Sequence, residues 1–268
     1  MTGATTPGAT QRPTKPRRNP LVYLVAIALV AWTVFTARQV GFRWSTFIDI
    51  WTNKLWGLFW PIPWDWVLDR GNVIDPLIET FQIAIVATVI GCGLALPAAF
   101  AMSRLTTPNA PTYWVSRILM SIVRAVPDLF WAKILVTAIG IGAFAGSWAL
   151  SIFSFAVMVK LFSETIDGAD PGPLEAARAA GARHVPAVRT GVLPTVLPSY
   201  VAYALYVFEL NIRASIVLGL VGAGGIGRII EAQRSFFRFD RILGILILVF
   251  VVVFVIEQIS VALRRRLV

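Results

Sequence analysis

Cysteine and histidine are almost missing: Cys92 and His184 are the single representatives in 268 residues. A disulfide needs two thiols and a structural zinc site needs four ligands, so neither a disulfide framework nor a Cys/His metal centre can be built. Charge is scarce too. Asp, Glu, Lys and Arg make up 14% of residues against 57% hydrophobic, with a mean hydropathy of +0.74. A soluble globule of that composition would lack the polar groups to cover its surface. No G-x-x-x-x-G-K-[ST] sequence occurs, so no nucleotide-binding P-loop of that form is expected. No nucleophile–base pair or cluster of metal ligands stands out either. No cofactor is expected.

What is present is apolar length. Six stretches, 20–38, 74–102, 116–140, 147–165, 189–215 and 241–263, approach or exceed the ~20 residues that cross ~30 Å of hydrocarbon. The expected fold class is an all-α integral membrane protein with about six transmembrane helices.

The net charge of +10 would suggest nucleic acid in a soluble protein. Here Lys and Arg gather at the ends of the apolar stretches, which marks orientation, and no nucleic-acid partner is expected. Residues 1–20, with Arg12, Lys15, Arg17 and Arg18, lack the apolar core of a signal peptide and read as a disordered basic tail. An even number of spans puts that tail and the closing run Arg264, Arg265, Arg266 on one side, cytoplasmic by the positive-inside tendency. The connections 103–115 and 166–188 are then cytoplasmic, and 39–73, 141–146 and 216–240 face outward. The last of these runs against the tendency, since it carries Arg228, Arg234 and Arg238.

The segment after the first span, within 21–73, holds Trp44, Trp51, Trp56, Trp60, Trp64 and Trp66. It reads as an interfacial belt resting on membrane lipid, or alternatively as a docking surface for a partner. Residues 221–227, VGAGGIG, match the dinucleotide fingerprint through Gly222, Gly224 and Gly227, but that fingerprint has meaning only inside a βαβ unit. Between two apolar spans the glycines instead allow close backbone packing of a re-entrant turn or broken helix. In the same geometry, the N–H groups around Gly222, Gly224, Gly225 and Gly227 would form an anion-binding concavity along a substrate path.

Residues 170–194 read DPGPLEAARAAGARHVPAVRTGVLP. Pro171 and Pro173 suit a first helical turn, Glu175 places a carboxylate at its positive end, and Gly181 is fit to end it in a left-handed conformation. A helix of about two turns is too short to stand alone and needs a surface to pack on.

Glu175, Ala176 and Ala177, then Gly181, then Leu193 and Pro194 after a spacer resemble the EAA signature of permease subunits of bacterial ABC importers. ETFQIAIVATVIGCGLALPAAF at 79–100, RAVPDLFWA at 124–132 and VLGLVGAGGIG at 217–227 are similar to the phosphonate-type branch of that family. The resemblance covers about 75–262 and implies a type I importer (MetI-like) permease domain over 74–268, with a cytoplasmic coupling helix near 173–188. It implies as partners two copies of an ABC ATPase subunit, an extracytoplasmic substrate-binding protein and a second copy of this chain, in the bacterial cytoplasmic membrane. The implied cargo is phosphonate, phosphate or phosphite. Methionine or another small solute on the same scaffold is the alternative, and a membrane enzyme acting on phosphate esters or lipids is the alternative of another class. Two residues before Leu193 the family carries an aliphatic residue; this chain has Gly191, which predicts weaker anchoring of the following span.

Ionisable groups inside spans are costly and usually face the bundle interior. Arg124, Asp128 and Lys133 flank Pro127, Glu209, Asn211 and Arg213 lie near the outer end of the fifth span, and Lys160 and Glu164 close the fourth. Arg124 with Asp128, Glu209 with Arg213 and Lys160 with Glu164 are four residues apart and can neutralise one another on one helix face. Lys133 has no such neighbour, and its stem can snorkel to the interface. With an oxyanion cargo, Arg124, Lys133 and Arg213 would hold or guide it, and the outer-loop arginines would raise its local concentration.

Overall fold

In the computed structural model, which describes residues 20–41 and 43–266, no strand occurs among the described residues. The basic tail expected over 1–20 lies, except for Pro20, outside them. Contacts divide the chain into two units, Met1–Leu58 and Phe59–Val268.

The first unit holds α1, Pro20–Gln39, whose 20 residues span about 30 Å at 1.5 Å each. Its mean hydropathy of 2.1 makes it long and apolar enough to cross a membrane. After a turn at Gly41, α2 (Trp44–Asp49), a π-helical turn (Ile50–Lys54) and α3 (Leu55–Phe59) follow, with Trp44, Trp51 and Trp56 exposed.

The second unit runs α4 (Trp64–Val67), a π-helical turn (Arg70–Ile74), α5 (Asp75–Met102), α6 (Ala110–Ala125), α7 (Asp128–Ile139), α8 (Ala143–Asp167), α9 (Gly172–Ala179), α10 (His184–Gly191), α11 (Leu193–Gly219), α12 (Gly225–Ser235) and α13 (Phe239–Arg264). Four of its helical stretches, Arg70–Met102, α8, α11 and α13, are long and apolar enough to span. The stretch 116–140, expected as one span, is two helices. Val126 is extended (φ −84, ψ 121) and Pro127 caps α7, because a residue before proline is pushed out of the helical region and proline has no N–H to donate back.

The most extensive interface joins α5 to α8. It depends on Gly91, where a Cβ would lie 2.4 Å from Ser154 Cβ and 2.7 Å from the Ser151 carbonyl. Beside it α11 closes a three-helix core. Layers of small and apolar side chains run along its length, from Ile83, Ala87 and Leu150 to Ala99, Phe162 and Val196. In this core α5 and α8 run parallel, and α11 runs opposite to both. Ser103 Oγ and the Arg104 amide, just past α5, both donate to Asp167 at the end of α8 at 2.6 Å. At the opposite end the Gly142 amide, ahead of α8, donates to the Gly222 carbonyl at 3.0 Å, and the Ile226 amide donates to Thr80 Oγ1 near the start of α5 at 2.8 Å.

The tryptophan-rich segment runs across both units, and its second part packs on the second unit's helices. Ile62 and Val67 pack on α13 at Gly244, where a Cβ would meet them at 2.9 and 2.5 Å, and Arg241 stacks 4.4 Å over the Trp66 ring. Trp66 thereby joins the helical core of the second unit.

Candidate functional site

The polar segment after α8 folds into a corner of two short helices rather than one. α9 has Pro173 in its first turn and ends as the glycine predicts: Gly181 is left-handed at φ +84, its amide donates to the Arg178 carbonyl at 2.9 Å, and the Ala182 amide donates to the Ala177 carbonyl at 3.1 Å. This is the Schellman pattern that satisfies the last free carbonyls of a helix. α10 was not expected. Its signals are Pro186 in the opening turn and Arg189 in the closing one.

Leu174, Ala187, Val192 and Val196 are buried with Phe162 and Ile166, which fixes the corner to the ends of α8 and α11. Gly191 is where α9 lies against α10: a Cβ there would sit 2.8 Å from both Leu174 Cα and the Pro173 carbonyl. The expectation that Gly191 loosens the following span is corrected, because a side chain at that position would push α9 off. Outward from this anchored base, Glu175, Ala176, Arg178 and Gly181 are exposed and Ala177 is half-buried. Leu193 and Pro194 open α11.

The intramembrane residues separate into three places. Asn211 is fully buried among α5, α8 and α11: its Nδ2 donates to Thr88 Oγ1 at 2.8 Å and to Ser154 Oγ at 2.7 Å. Glu209, 4% exposed, pairs with Arg213 as its spacing predicts, and also with Arg264 of α13 at 3.1 Å, while Arg213 reaches Glu257 at 3.0 Å. Two arginines thus face two carboxylates. Lys160 pairs with Glu164.

Arg124 and Asp128 form no ion pair, because the break at Pro127 takes them off a common helix face; Asp128 Oδ1 instead accepts from the Leu129 amide at 2.8 Å. Both line a cleft of about 290 Å³ with Trp131 and Phe153. Lys133 lies exposed on α7.

Gly222, Gly224 and Gly225 have φ of +92, +85 and +69, and Gly224, Gly225 and Gly227 are buried. At Gly227 a Cβ would stand 2.0 Å from the Ile216 carbonyl, so α12 crosses the end of α11 backbone to backbone. The arginines beyond are each matched: Arg228 with Glu79 at 3.9 Å, Arg234 with Glu231, and Arg238 with Asp240 at 3.2 Å. Asp167, Glu257 and Arg264 escaped the sequence reading, since each finds its partner across 44 or more residues.

A bundle of apolar helices, several of them long and apolar enough to cross a membrane, with an anchored amphipathic corner at one end fits a multi-pass membrane protein. Residues 91–268 match the family described as the binding-protein-dependent transport system inner membrane component, and the chain belongs to that family. It is 40% identical over 190 residues to the phosphate-import permease protein PhnE of Mycolicibacterium smegmatis, covering 71% of this chain and 36% of that relative's length. It is 36% identical over 197 residues to the putative phosphite transport system permease protein HtxE of Stutzerimonas stutzeri, covering 74% of this chain and 76% of the relative. Among solved structures, an inward-facing methionine ABC transporter, MetNI, superposes with a TM-score of 0.64 at 23% identity over 73% of this chain and 95% of that one. This likeness establishes the type I importer permease fold.

Proposed function

We propose that this chain is the membrane-spanning subunit of an ABC importer for a phosphorus oxyanion such as phosphate, phosphite or phosphonate, and that the α9–α10 corner couples it to a separate ATPase. The observation that carries the reading is the corner itself. Its base is locked by Leu174 and Gly191 into the ends of α8 and α11, and its exposed face carries Glu175, Ala176 and Arg178. A rigid lever of this kind transmits a push from an ATPase to the spans, so that the path opens alternately to each side.

The substrate class rests on relatives named for phosphate and phosphite transport at 36–40% identity over more than 70% of the chain. Two copies of this chain, two ATPase subunits and an extracytoplasmic binding protein complete the assembly, with both termini of the chain cytoplasmic. Within the chain, Arg124 and Asp128 at the helix break are the pathway groups the geometry favours. Glu209, Asn211 and Arg213 hold helices together, and Gly222, Gly224, Gly225 and Gly227 shape the α11–α12 crossing.

The test is ATP hydrolysis by the lipid-reconstituted complex with phosphate, methylphosphonate, phosphite or methionine added in turn. Stimulation by a phosphorus oxyanion, abolished by Glu175→Trp, is the expected result. Stimulation by methionine alone would move the chain to another substrate class, and failure to assemble with any ATPase would return it to the membrane enzymes.

A further inference from the structure

Where α5 turns into α6, a cleft of about 730 Å³ opens between the end of α5, the second half of α6 and the end of α8. Its lining includes Arg104, Arg117, Arg124 and Lys160, against the carboxylates of Glu164 and Asp167, which leaves two positive charges in excess. The net excess is not altered by pairing, but both carboxylates are already engaged. Glu164 holds the Lys160 ammonium, and Asp167 Oδ1 accepts from Ser103 Oγ and the Arg104 amide.

The three guanidiniums have no ion pair among the described residues. Arg104 Nε donates to the Tyr113 hydroxyl at 2.9 Å, Arg117 donates to the same oxygen, and both guanidinium carbons lie 5.5 Å from the Tyr113 ring centre. A neutral phenol orients these cations without neutralising them. Arg124 reaches the same space from the last turn of α6, freed by the break at Pro127 from pairing with Asp128. Planar guanidinium forks set around one cavity suit the oxygens of a tetrahedral anion, which accept two hydrogen bonds from each fork.

We propose that this cleft is a binding site for a phosphate-type group, built by Arg104, Arg117 and Arg124 and preorganised by Tyr113. It stands at the same end of the bundle as the α9–α10 corner, since Leu105, which lines it, also packs into the cluster around Leu174. Resting on the oxyanion-import reading, it is the inner mouth of the path, where the cargo is held before release. The same chemistry would also seat the phosphate of an anionic lipid.

The experiment measures binding of radiolabelled inorganic phosphate to the permease–ATPase complex in phosphatidylcholine nanodiscs, for wild type, Arg117→Gln, Arg117→Lys and Arg124→Gln. The site requires wild-type binding weakened about tenfold or more by either Gln variant, with partial recovery in Arg117→Lys, which restores charge but not the fork. A parallel arm in phosphatidylglycerol nanodiscs, read by native mass spectrometry, asks whether the wild type retains lipid that the Gln variants lose. Phosphate binding in the first arm identifies a free anion as the occupant, and lipid retention with no phosphate binding identifies a headgroup. No difference between wild type and the Gln variants in either arm overturns the site. Oxyanion uptake is measured separately: uptake without cleft binding removes the site and leaves the importer reading, whereas absence of uptake in wild type removes the importer reading whatever the cleft binds.

Discussion

Gly191 offers the sharpest test of how the corner is held. A Cβ at this position would meet Leu174 Cα and the Pro173 carbonyl at 2.8 Å and the Leu174 amide nitrogen at 2.9 Å, all main-chain atoms that cannot rotate away. Overpacking of this kind costs about 1–3 kcal/mol. For Gly191→Ala, the better helix propensity of alanine returns about 1 kcal/mol, so the net effect is small. For Gly191→Val, α9 must lift, and withdrawing Leu174 (1% exposed) from its cluster adds the loss of burying one leucine, about 1.5–3 kcal/mol. The spans themselves, packed through α5, α8 and α11, keep their contacts. The expected outcome is that Gly191→Val inserts into the membrane but fails to co-purify with its ATPase or to show substrate-stimulated hydrolysis, while Gly191→Ala retains both. The family pattern predicts the opposite sign, with an aliphatic side chain strengthening the anchor. Wild-type stimulation and wild-type thermal stability in Gly191→Val would refute the reasoning.

Three further outcomes follow from the side chains. Asn211→Leu removes both amide donations and leaves Ser154 Oγ without its acceptor. At an average of ~0.6 kcal/mol per intramembrane hydrogen bond, a loss of about 1 kcal/mol is expected in a reversible unfolding titration in lipid. Glu209→Gln leaves Arg264 without a carboxylate and Arg213 with Glu257 alone. Removing one partner of a fully buried pair costs about 3–5 kcal/mol, but Arg213 and Arg264 are 45% and 26% exposed, so a smaller loss is expected, partly recovered in the Glu209→Gln/Arg264→Gln double variant. The hydrogen bond from Arg104, and the positive charge beside it, hold the Tyr113 phenol below the usual tyrosine range. A depressed value stabilises the fold only at pH above ionisation and is lost as pH falls through it, so nothing is gained near neutrality; the readout is the tyrosinate absorbance titration, whose earliest limb Tyr113→Phe should remove.

The sequence made local periodicity and local stops visible. Four of the six apolar stretches became long helices of the second unit, α1 a fifth, and Gly181 ended α9 where its freedom at positive φ was expected to. The proline in 116–140 was visible too, but whether it kinks or breaks a helix depends on what the freed backbone finds. Here Val126 goes extended and α7 starts afresh. Charge pairs four residues apart were legible where the helix was continuous, at Glu209–Arg213 and Lys160–Glu164, and failed at Arg124–Asp128 because the break lies between them. Partners distant in the chain left no local trace. Arg264, part of a run that read as a marker of sidedness, turns out to hold Glu209, and Gly191, which read as a deficit, is a close-approach position that only the packing of α9 on α10 reveals.

These pairings separate cations held by carboxylates from the arginines that line the cleft, and the separation bears on mechanism. On continuous helices Arg213 and Arg264 have carboxylates and tie α11 to α13, Lys160 is paired within α8, and Arg241 rests on the Trp66 ring. On the broken α6–α7 pair, Arg117 and Arg124 have no carboxylate partner among the described residues and face a cleft whose opposite wall is the end of α8. That same end of α8 continues through residues 168–171 into α9, and Phe162 and Ile166 bind it to Leu174. A displacement of the corner therefore moves Lys160, Glu164 and Asp167 against Arg117 and Arg124 directly, with no longer chain of contacts needed. On the proposed reading, this short mechanical link is how an ATPase at the corner changes the grip on an anion at the inner mouth. The break at Pro127 bears on the same grip: a straight helix would have let Asp128 neutralise Arg124 and would have left the cleft with a weaker hold on an anion.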